Sequence, residues 1–274
     1  MSEALSPAML DAYLQRIGHD GPLGADLSTL RALHRAHVLA IPFENLEVQF
    51  GGEPSMDPDA IFAKLVERRR GGWCYEQNGL FGRVLETLGF AVTRLAGGVM
   101  REMAGEQFVG NHLALKVVVD GDPWLCDVGF GSTQIEPLPL AEGPWTAAPL
   151  SGELQRTEDG YWRLAIIGGP MPLSFDFRDA PADEQRLQDL CAWQASDEQS
   201  IFVQNLAVQQ RRPEGHAMLR GKVLTETTAA GIATHEIPSD AALVATLRDH
   251  FGLDVPEAAH LWPKIEERHA ALFT

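Results

Sequence analysis

The sequence contains few cysteines, and their arrangement argues against two kinds of cross-link. Only 3 of the 274 residues are cysteine, an odd number, and no two of them form a C-x-x-C pair. Disulfide-rich domains and structural zinc sites need more cysteines at characteristic spacings. We therefore expect free thiols, no bound metal ion and a reducing, cytoplasmic environment.

The sequence also lacks a long apolar run. A membrane-spanning helix needs about 20 consecutive apolar residues, and no segment of this chain approaches that length. A secretory signal peptide begins with basic residues followed by an apolar stretch, a pattern that residues 1–30 do not show. We expect an untargeted, soluble protein without a membrane partner.

Positive charge is scarce. The chain has 22 Lys and Arg residues against 38 Asp and Glu residues, which gives a formal net charge of −16 at pH 7. Affinity for the phosphate backbone of nucleic acids depends on clustered Lys and Arg. The charge balance therefore argues against a nucleic-acid partner.

The composition that remains is that of a globular protein, with 45% hydrophobic and 22% charged residues. Up to about residue 90 the apolar residues recur at helical spacing. The third predicted helix should carry Arg68, Arg69 and Arg70 in its last turn, because cations stabilise a helix C-terminus. Four helices are predicted. The first covers Met9–Ile17 and ends at Gly18, and the second covers Leu27–Leu39 with Asp26 or Ser28 as its cap. The third begins at Asp57-Pro58-Asp59, and the fourth covers Trp73–Leu88 and ends at Gly89.

Beyond residue 90 the pattern changes to short strands separated by turn residues, which favours a small barrel or sandwich. The last part of the chain mixes strands with a helix, so the fold class is α+β. We expect three domains: 1–90 helical, 91–195 β and 196–274 α/β. The predicted elements are strands Phe90–Leu95, Leu113–Val119, Trp124–Val128, Tyr161–Ile167, Leu173–Phe177, Ile201–Gln209 and His216–Leu224, and a helix at Ala241–His250.

One cysteine has surroundings that predict reactivity. Cys74 follows Gly71-Gly72 and lies in the first turn of a predicted helix. Unpaired N–H groups and the positive end of the helix dipole favour thiolate over thiol at that position. Cys126 and Cys191 instead fit the commoner case of a buried cysteine that acts as a small apolar residue.

A histidine and an aspartate are expected to lie together on one hairpin. His112 begins a strong strand pattern, Asp120-Gly121 is typical of a two-residue turn, and Asp127 lies on the returning strand. With that turn His112 and Asp127 are diagonal neighbours on one sheet face; a three-residue loop would separate them. Together with Cys74 they resemble the Cys, His, Asp arrangement of papain-like nucleophilic catalysis.

Five blocks of the sequence resemble motifs of the arylamine N-acetyltransferases, and the resemblance extends over essentially the whole chain. The blocks are Y-L-Q-R-I-G at 13–18, I-P-F-E-N-L at 41–46, R-G-G-W-C-Y-E-Q-N at 70–78, D-V-G-F-G at 127–131 and S-I-F-V-Q-N-L at 200–206. An ordered match of several blocks is much more specific than any single motif.

The resemblance implies an enzyme that transfers acetyl from acetyl-CoA to an aromatic amine or hydrazine, as a monomer or homodimer with no permanently bound cofactor. It also implies an N-terminal helical bundle, a central β-barrel and a C-terminal α/β lid. By the same resemblance Cys74 is the nucleophile, His112 its proton partner and Asp127 the residue that orients His112. Further roles are implied for Phe43, Phe130, Gly131 and Val109 at the acceptor, Gly129, Ser132 and Thr133 at CoA, and Glu44 and Asn45 as partners of Arg70.

Two departures from the family pattern bear on CoA binding and on the histidine strand. Ser132-Thr133 stands where many members carry another glycine, and Asn111 precedes the histidine where threonine is common. The CoA phosphates are nevertheless expected near the loop 129–133. Arg68, Arg69 and Arg70 could also attract phosphate, but the favoured interpretation is a solvated helix end for Arg68 and Arg69 and a buried pairing with Glu44 for Arg70.

The chemistry of a Cys, His, Asp triad leaves alternatives open, because it does not select water or amine as the acceptor. A cysteine hydrolase is one alternative. A related amide synthase that closes a macrocycle on a polyketide is another. A catalytically inactive binding protein is disfavoured by the presence of all three triad residues.

Overall fold

The computed structural model describes residues 4–132, 134–169 and 171–273. Its N-terminal part is mainly helical. The first, second and fourth predicted helices are confirmed to within two residues at each end. This part consists of α1 (Pro7–Ile17), α2 (Leu27–Ala40), β1 (Phe43–Glu44), α3 (Leu46–Gln49), α4 (Pro58–Phe62) and α5 (Cys74–Thr87).

The ends of α1 and α2 follow from local chemistry. The Ser6 side chain accepts a hydrogen bond from the Met9 N–H at the start of α1, and Gly18 ends that helix in the left-handed conformation at φ 69°. Asp26 caps α2 in the same way as Ser6 caps α1. Such caps satisfy backbone groups that have no partner inside the helix.

The prediction for the end of the third helix was wrong. After α4 the chain continues as one π-helical turn, Ala63–Glu67, and Arg68 follows as its cap. Arg69 adopts the left-handed conformation at φ 51°, so neither it nor Arg70 is helical. Because the helix ends before Arg70, this residue turns back toward β1. Its side chain there pairs with Glu44, which it would not reach from a helical position.

The central part is an eight-stranded antiparallel sheet that is nearly closed into a barrel. The elements are β2 (Ala91–Val99), α6 (Arg101–Ala104), β3 (His112–Val119), β4 (Asp122–Cys126), β5 (Leu138–Pro139), β6 (Gly143–Ala147), β7 (Leu150–Arg156), β8 (Trp162–Ile167) and β9 (Leu173–Phe177). The strand order in the sheet is β5-β4-β3-β2-β9-β8-β7-β6.

The hairpin that carries the candidate histidine has the predicted turn. Asp120 and Gly121 both have positive φ, 53° and 91°, as a two-residue type I′ turn requires. Val119 therefore lies opposite Asp122, which is the register expected from the sequence. Strands β5 to β7 were not predicted, because they are short or carry glycine, proline and polar residues.

The C-terminal part combines a second antiparallel sheet with helices. Its elements are α7 (Glu184–Ser196), α8 (Ile201–Gln204), β10 (Ala207–Arg212), β11 (Gly215–Arg220), β12 (Val223–Thr228), β13 (Gly231–Glu236), α9 (Asp240–Phe251) and α10 (Trp262–Phe273). The sheet has the order β1-β10-β11-β12-β13, so the two-residue strand β1 of the N-terminal part forms its edge, with Phe43 opposite Gln209.

Two strand predictions in this part were wrong. Residues 201–204 form α8 rather than a strand, because the Ser200 hydroxyl accepts a hydrogen bond from Phe202 N–H and starts a helical turn. The predicted strand His216–Leu224 is a hairpin of β11 and β12 that turns at Gly221, where φ is 56°. The helix predicted near 241–250 is confirmed as α9, whereas α7 and α10 were not predicted.

Four clusters of buried apolar side chains hold these parts together. One of them contains Cys74 and lies where the N-terminal helices, the barrel and α7 meet, with Trp73, Leu113, Leu187 and Cys191 around it. Among the described residues, no helix is both long and apolar enough to cross a bilayer. The domain boundaries at residues 90 and 195 stay a prediction.

Candidate active site

Cys74 is the first residue of α5 and is almost buried, with 7% of its surface exposed. The preceding Gly71-Gly72 segment packs against the backbone of residues 42–44, and Glu44 N–H donates to the Gly72 carbonyl at 3.1 Å. A Cβ on Gly71 would lie 2.3 Å from the Pro42 carbonyl oxygen. Glycine is therefore required there, because only its bare backbone can approach so closely.

His112 and Asp127 are hydrogen-bonded to each other in the interior. His112 Nε2 lies 2.8 Å from Asp127 Oδ2, and the two residues are 2% and 1% exposed. His112 is the first residue of β3, and Asp127 follows the last residue of β4, so the hairpin register brings them together as the sequence predicted. The Cys74 side chain lies near enough to the imidazole of His112 to raise its pKa.

The surroundings of His112 favour its charged form. Burial alone would lower the pKa of His112, but the Asp127 carboxylate and the Cys74 thiolate outweigh burial and raise this pKa to about 10. An opposite charge within a few ångströms stabilises an imidazolium in this way. At neutral pH the His112 ring is therefore protonated and hydrogen-bonded to Asp127.

We expect the ring of His112 to stay protonated through pH 8 and to titrate near pH 10. The folded-state pKa lies above the ordinary value, so the charged form persists until the pH approaches the raised value. Nitrogen-15 NMR of histidine-labelled protein measures this midpoint. A midpoint near 6.5 would contradict the ion-pair arrangement, and Cys74→Ala should lower the midpoint by removing one negative partner.

The carboxylate of Asp127 is held by two further donors. Its Oδ1 accepts hydrogen bonds from Asn78 Nδ2 at 2.9 Å and from Gly129 N–H at 3.0 Å. Asn78 lies one helical turn after Cys74, so α5 positions both the thiol and the carboxylate. The role of Asn78 was missed by sequence reasoning, although it is the last residue of the R-G-G-W-C-Y-E-Q-N block.

A second histidine supports the backbone of Asp127. His34 Nε2 accepts a hydrogen bond from Asp127 N–H at 3.1 Å, which leaves Nδ1 to donate to the Ile135 carbonyl at 2.8 Å. Burial lowers the pKa of His34 to about 4, so this ring is neutral at physiological pH. The only sequence signal for it was its place on the apolar face of α2, which does not distinguish it from a core residue.

The predicted pairing beneath the Cys74 helix is half correct. Arg70 Nη2 lies 2.8 Å from Glu44 Oε1, and Glu44 is completely buried on its side-chain atoms. The Asn45 side chain bonds elsewhere: its Nδ2 donates to the carbonyls of Phe202 and Asn205, both at 2.8 Å. Asn45 therefore joins the N-terminal part to α8 rather than to Arg70.

Comparison with known proteins identifies the family. A sequence profile of the N-acetyltransferase family matches residues 26–260. The arylamine N-acetyltransferases of Mycolicibacterium smegmatis and Escherichia coli are 36% and 34% identical to this chain, over 91% and 92% of it and 94% and 91% of their own lengths. The chain belongs to the arylamine N-acetyltransferase family.

Members of this family are acyltransferases. The structure of the Mycobacterium marinum arylamine N-acetyltransferase in complex with CoA resembles the present fold with a TM-score of 0.84 and 32% sequence identity. The match covers 94% of this chain and 97% of that one. The α+β fold expected from the family resemblance is confirmed.

The two aromatic residues expected at the acceptor pack against different rings. The ring of Phe130 is 5.1 Å from the ring of His112, and it is half-buried. Phe43 packs at 5.8 Å from Phe202, which also contacts Trp73. Phe202 was not predicted as a site residue, because the surrounding segment had been interpreted as a strand.

Gly131 and Val109 occupy different surroundings. Gly131 lies between the side chains of Phe43 and Gln209, where a Cβ would meet both at about 3 Å. Val109 is half-buried and packs over Gly98 at the end of β2. Gly131 is therefore next to the predicted acceptor aromatic Phe43, whereas the role of Val109 at the acceptor stays a prediction.

In the loop expected to hold CoA phosphates, Gly129 and Ser132 are buried and Phe130 and Gly131 are half-buried. A Cβ on Gly129 would lie 2.7 Å from Cys74 Cα, so this glycine serves the close packing of the loop against α5. Ser132 is 8% exposed, and Thr133 lies outside the described residues. Gly129 faces the backbone of Cys74 and donates its N–H to Asp127, and the contact of this loop with CoA stays a prediction.

Proposed function

We propose that this chain transfers the acetyl group of acetyl-CoA to the nitrogen of an arylamine, arylhydrazine or N-hydroxyarylamine through a thioester on Cys74. One observation carries the proposal: a buried hydrogen bond joins Asp127 to His112, and the pKa of that ring is raised by both Asp127 and Cys74, the first residue of α5. The relatives named above are arylamine N-acetyltransferases, and one of them has been solved with CoA.

The first half-reaction begins from a thiolate and an imidazolium. The Cys74 thiolate attacks the acetyl carbonyl carbon, and the resulting oxyanion is stabilised by backbone N–H groups at the start of α5. The carbon–sulfur bond to CoA then breaks, and the leaving thiolate takes the proton of His112. The enzyme is left as an acetyl-cysteine beside a neutral imidazole.

The second half-reaction restores the starting charges. The amine nitrogen attacks the thioester carbon, His112 accepts a proton from that nitrogen, and the Cys74 thiolate leaves. The amide product departs, and the imidazolium is again paired with Asp127. The scheme predicts ping-pong kinetics, because CoA must leave before the amine is acetylated.

Water has to be excluded while the acetyl-enzyme exists, since hydrolysis would waste the acetyl group. Cys74 is 7% exposed and belongs to the same apolar cluster as Trp73 and Phe43, against which Phe202 packs. This apolar surrounding favours an aromatic amine over water as the acceptor. It also supports transferase activity over the cysteine-hydrolase alternative.

Mass spectrometry of the intact protein tests the proposal. After mixing with acetyl-CoA and no amine, we expect a mass increase of one acetyl group, and peptide mapping should place it on Cys74. Addition of an arylamine should then remove it and yield the N-acetyl product. Steady release of thiol from acetyl-CoA without any amine would identify a hydrolase, and absence of acetylation would favour an amide synthase with another acyl donor.

A further inference from the structure

A buried ion pair lies beneath the first turn of α5 and takes no part in the two half-reactions described above. Lys64 Nζ is 2.7 Å from Glu76 Oε1, and both residues are buried. Lys64 belongs to the π-helical turn Ala63–Glu67, and Glu76 is the third residue of α5. Apolar residues of similar volume often stabilise an interior as well as a buried ion pair does. The pair therefore points to a role other than stability.

Glu76 connects this ion pair to the backbone of the nucleophile. Its second carboxylate oxygen, Oε2, accepts a hydrogen bond from Trp73 N–H at 3.2 Å, and Trp73 directly precedes Cys74. A Cβ on Gly72 would lie 2.7 Å from the same oxygen, so the glycine makes room for the carboxylate. The bond satisfies one of the N–H groups that a helix start leaves unpaired. Glu76 therefore fixes the peptide segment that leads into Cys74.

Both neighbours of the Glu76 carboxylate are hydrogen-bond donors. The Lys64 ammonium donates to one oxygen and the Trp73 N–H donates to the other. An ionised carboxylate has two acceptor oxygens, whereas a side-chain amide has one acceptor end and one donor end. Burial raises the pKa of Glu76, and the Lys64 ammonium opposes this rise. The ionised carboxylate is therefore the form that satisfies both donors, and Lys64 favours it.

We propose that Lys64 and Glu76 are positioning residues for Cys74. They hold the start of α5 so that the thiol stays near His112 and the first N–H groups of the helix stay available to the oxyanion. The inference rests on the proposed function, because an oxyanion forms only when Cys74 attacks an acyl donor. A displacement of a reacting group by about 1 Å can lower a rate by about 10²-fold. An ion pair that joins the turn 63–67 to α5 resists such a displacement.

A purely electrostatic role of the pair makes a different prediction. Loss of the negative charge in Glu76→Gln would favour the Cys74 thiolate, and loss of the positive charge in Lys64→Met would disfavour it. Both charges act on this region: burial raises the pKa of Cys191 in the same apolar cluster, Glu76 adds to that rise and Lys64 opposes it. If the pair positions Cys74, both variants react more slowly. The direction of the change in Glu76→Gln therefore separates the two roles.

Alkylation of Cys74 by iodoacetamide measures the reactivity of the thiol without any acyl donor. For Glu76→Gln and Lys64→Met we expect a rate at pH 7 at least about tenfold below that of the wild type, read by mass spectrometry of the Cys74 peptide. The double variant should react faster than Glu76→Gln, because without Lys64 the amide oxygen is free to accept from Trp73 N–H. Alkylation of Glu76→Gln at the wild-type rate or faster would overturn the inference, and so would a double variant no faster than Glu76→Gln.

Arg163→Met is the matched control for Lys64→Met. Arg163 Nε lies 2.7 Å from Asp176 Oδ1, and the Asp176 side chain is completely buried, so this variant also removes a cation from a buried carboxylate. The two residues belong to β8 and β9 of the barrel rather than to α5. Arg163→Met should lower the unfolding temperature and leave the alkylation rate near that of the wild type. If thermal unfolding shows that Lys64→Met does not fold, Glu76→Gln alone decides the question.

Rapid mixing with acetyl-CoA tests the kinetic consequence. In Glu76→Gln the saturating rate of Cys74 acetylation should fall about as much as the alkylation rate. The acetyl-CoA concentration at half-saturation should stay unchanged, because the pair acts on the nucleophile and not on the donor. A higher half-saturation concentration at an unchanged saturating rate would contradict the positioning role. Failure of acetyl-CoA to acetylate the wild type would refute the proposed function alone, since the alkylation comparison does not depend on it.

Discussion

Replacing Cys74 by alanine is expected to abolish acetylation of the protein and to lower turnover of acetyl-CoA by at least about 10⁴-fold, as loss of a triad nucleophile does in other enzymes. The sulfur forms the covalent intermediate, and no neighbouring group can replace it. The measurements are the release of CoA thiol after rapid mixing and the mass of the protein before amine is added. Wild-type thiol release from this variant would contradict the mechanism.

Cys191→Ala is the control for this result. Cys191 belongs to the same apolar cluster as Cys74, and burial raises the pKa of its thiol well above the ordinary value. It should therefore remain an unreactive thiol. We expect Cys191→Ala to be acetylated on Cys74 at a rate close to that of the wild type, with a modest loss of thermal stability from the small cavity that it creates.

Replacing Asp127 by asparagine is expected to lower kcat/KM by about 10³-fold to 10⁴-fold, in both half-reactions. In this variant the oxygen of the new side-chain amide would accept the hydrogen bonds that Asn78 and Gly129 donate. Its NH₂ group would then face His112 Nε2. The ring would then accept a hydrogen bond at that nitrogen and could no longer carry a proton on both nitrogens. The imidazolium that protonates the leaving thiolate of CoA is thereby lost.

Asp176→Asn separates this effect from the general cost of removing a buried carboxylate. Asp176 is buried in the barrel between Arg101 and Arg163, which contact it at 2.8 and 2.7 Å. Its replacement should lower the unfolding temperature but leave the activity of the folded protein near that of the wild type. Equal losses of activity in Asp127→Asn and Asp176→Asn would refute the orienting role of Asp127.

The local parts of the site could be predicted because each depends on a short stretch of chain. The turn at Asp120-Gly121 sets the register that places His112 beside Asp127, and the cap region after Gly72 places Cys74 at a helix start. The errors also have local causes. Apolar residues 201–204 suit a strand as well as a helix, and the Ser200 cap decides for α8.

The sequence by itself predicted the three candidate catalytic residues, and it determined the hairpin that joins two of them and the family, because motif, turn type and periodicity act within one element or a few adjacent residues. The tertiary structure alone decided the approach of His112 to Cys74, the support of Asp127 by Asn78 and His34, and the pairing of β1 with β10. These contacts join residues distant in the chain, and only the packing of whole elements against one another determines which of them meet.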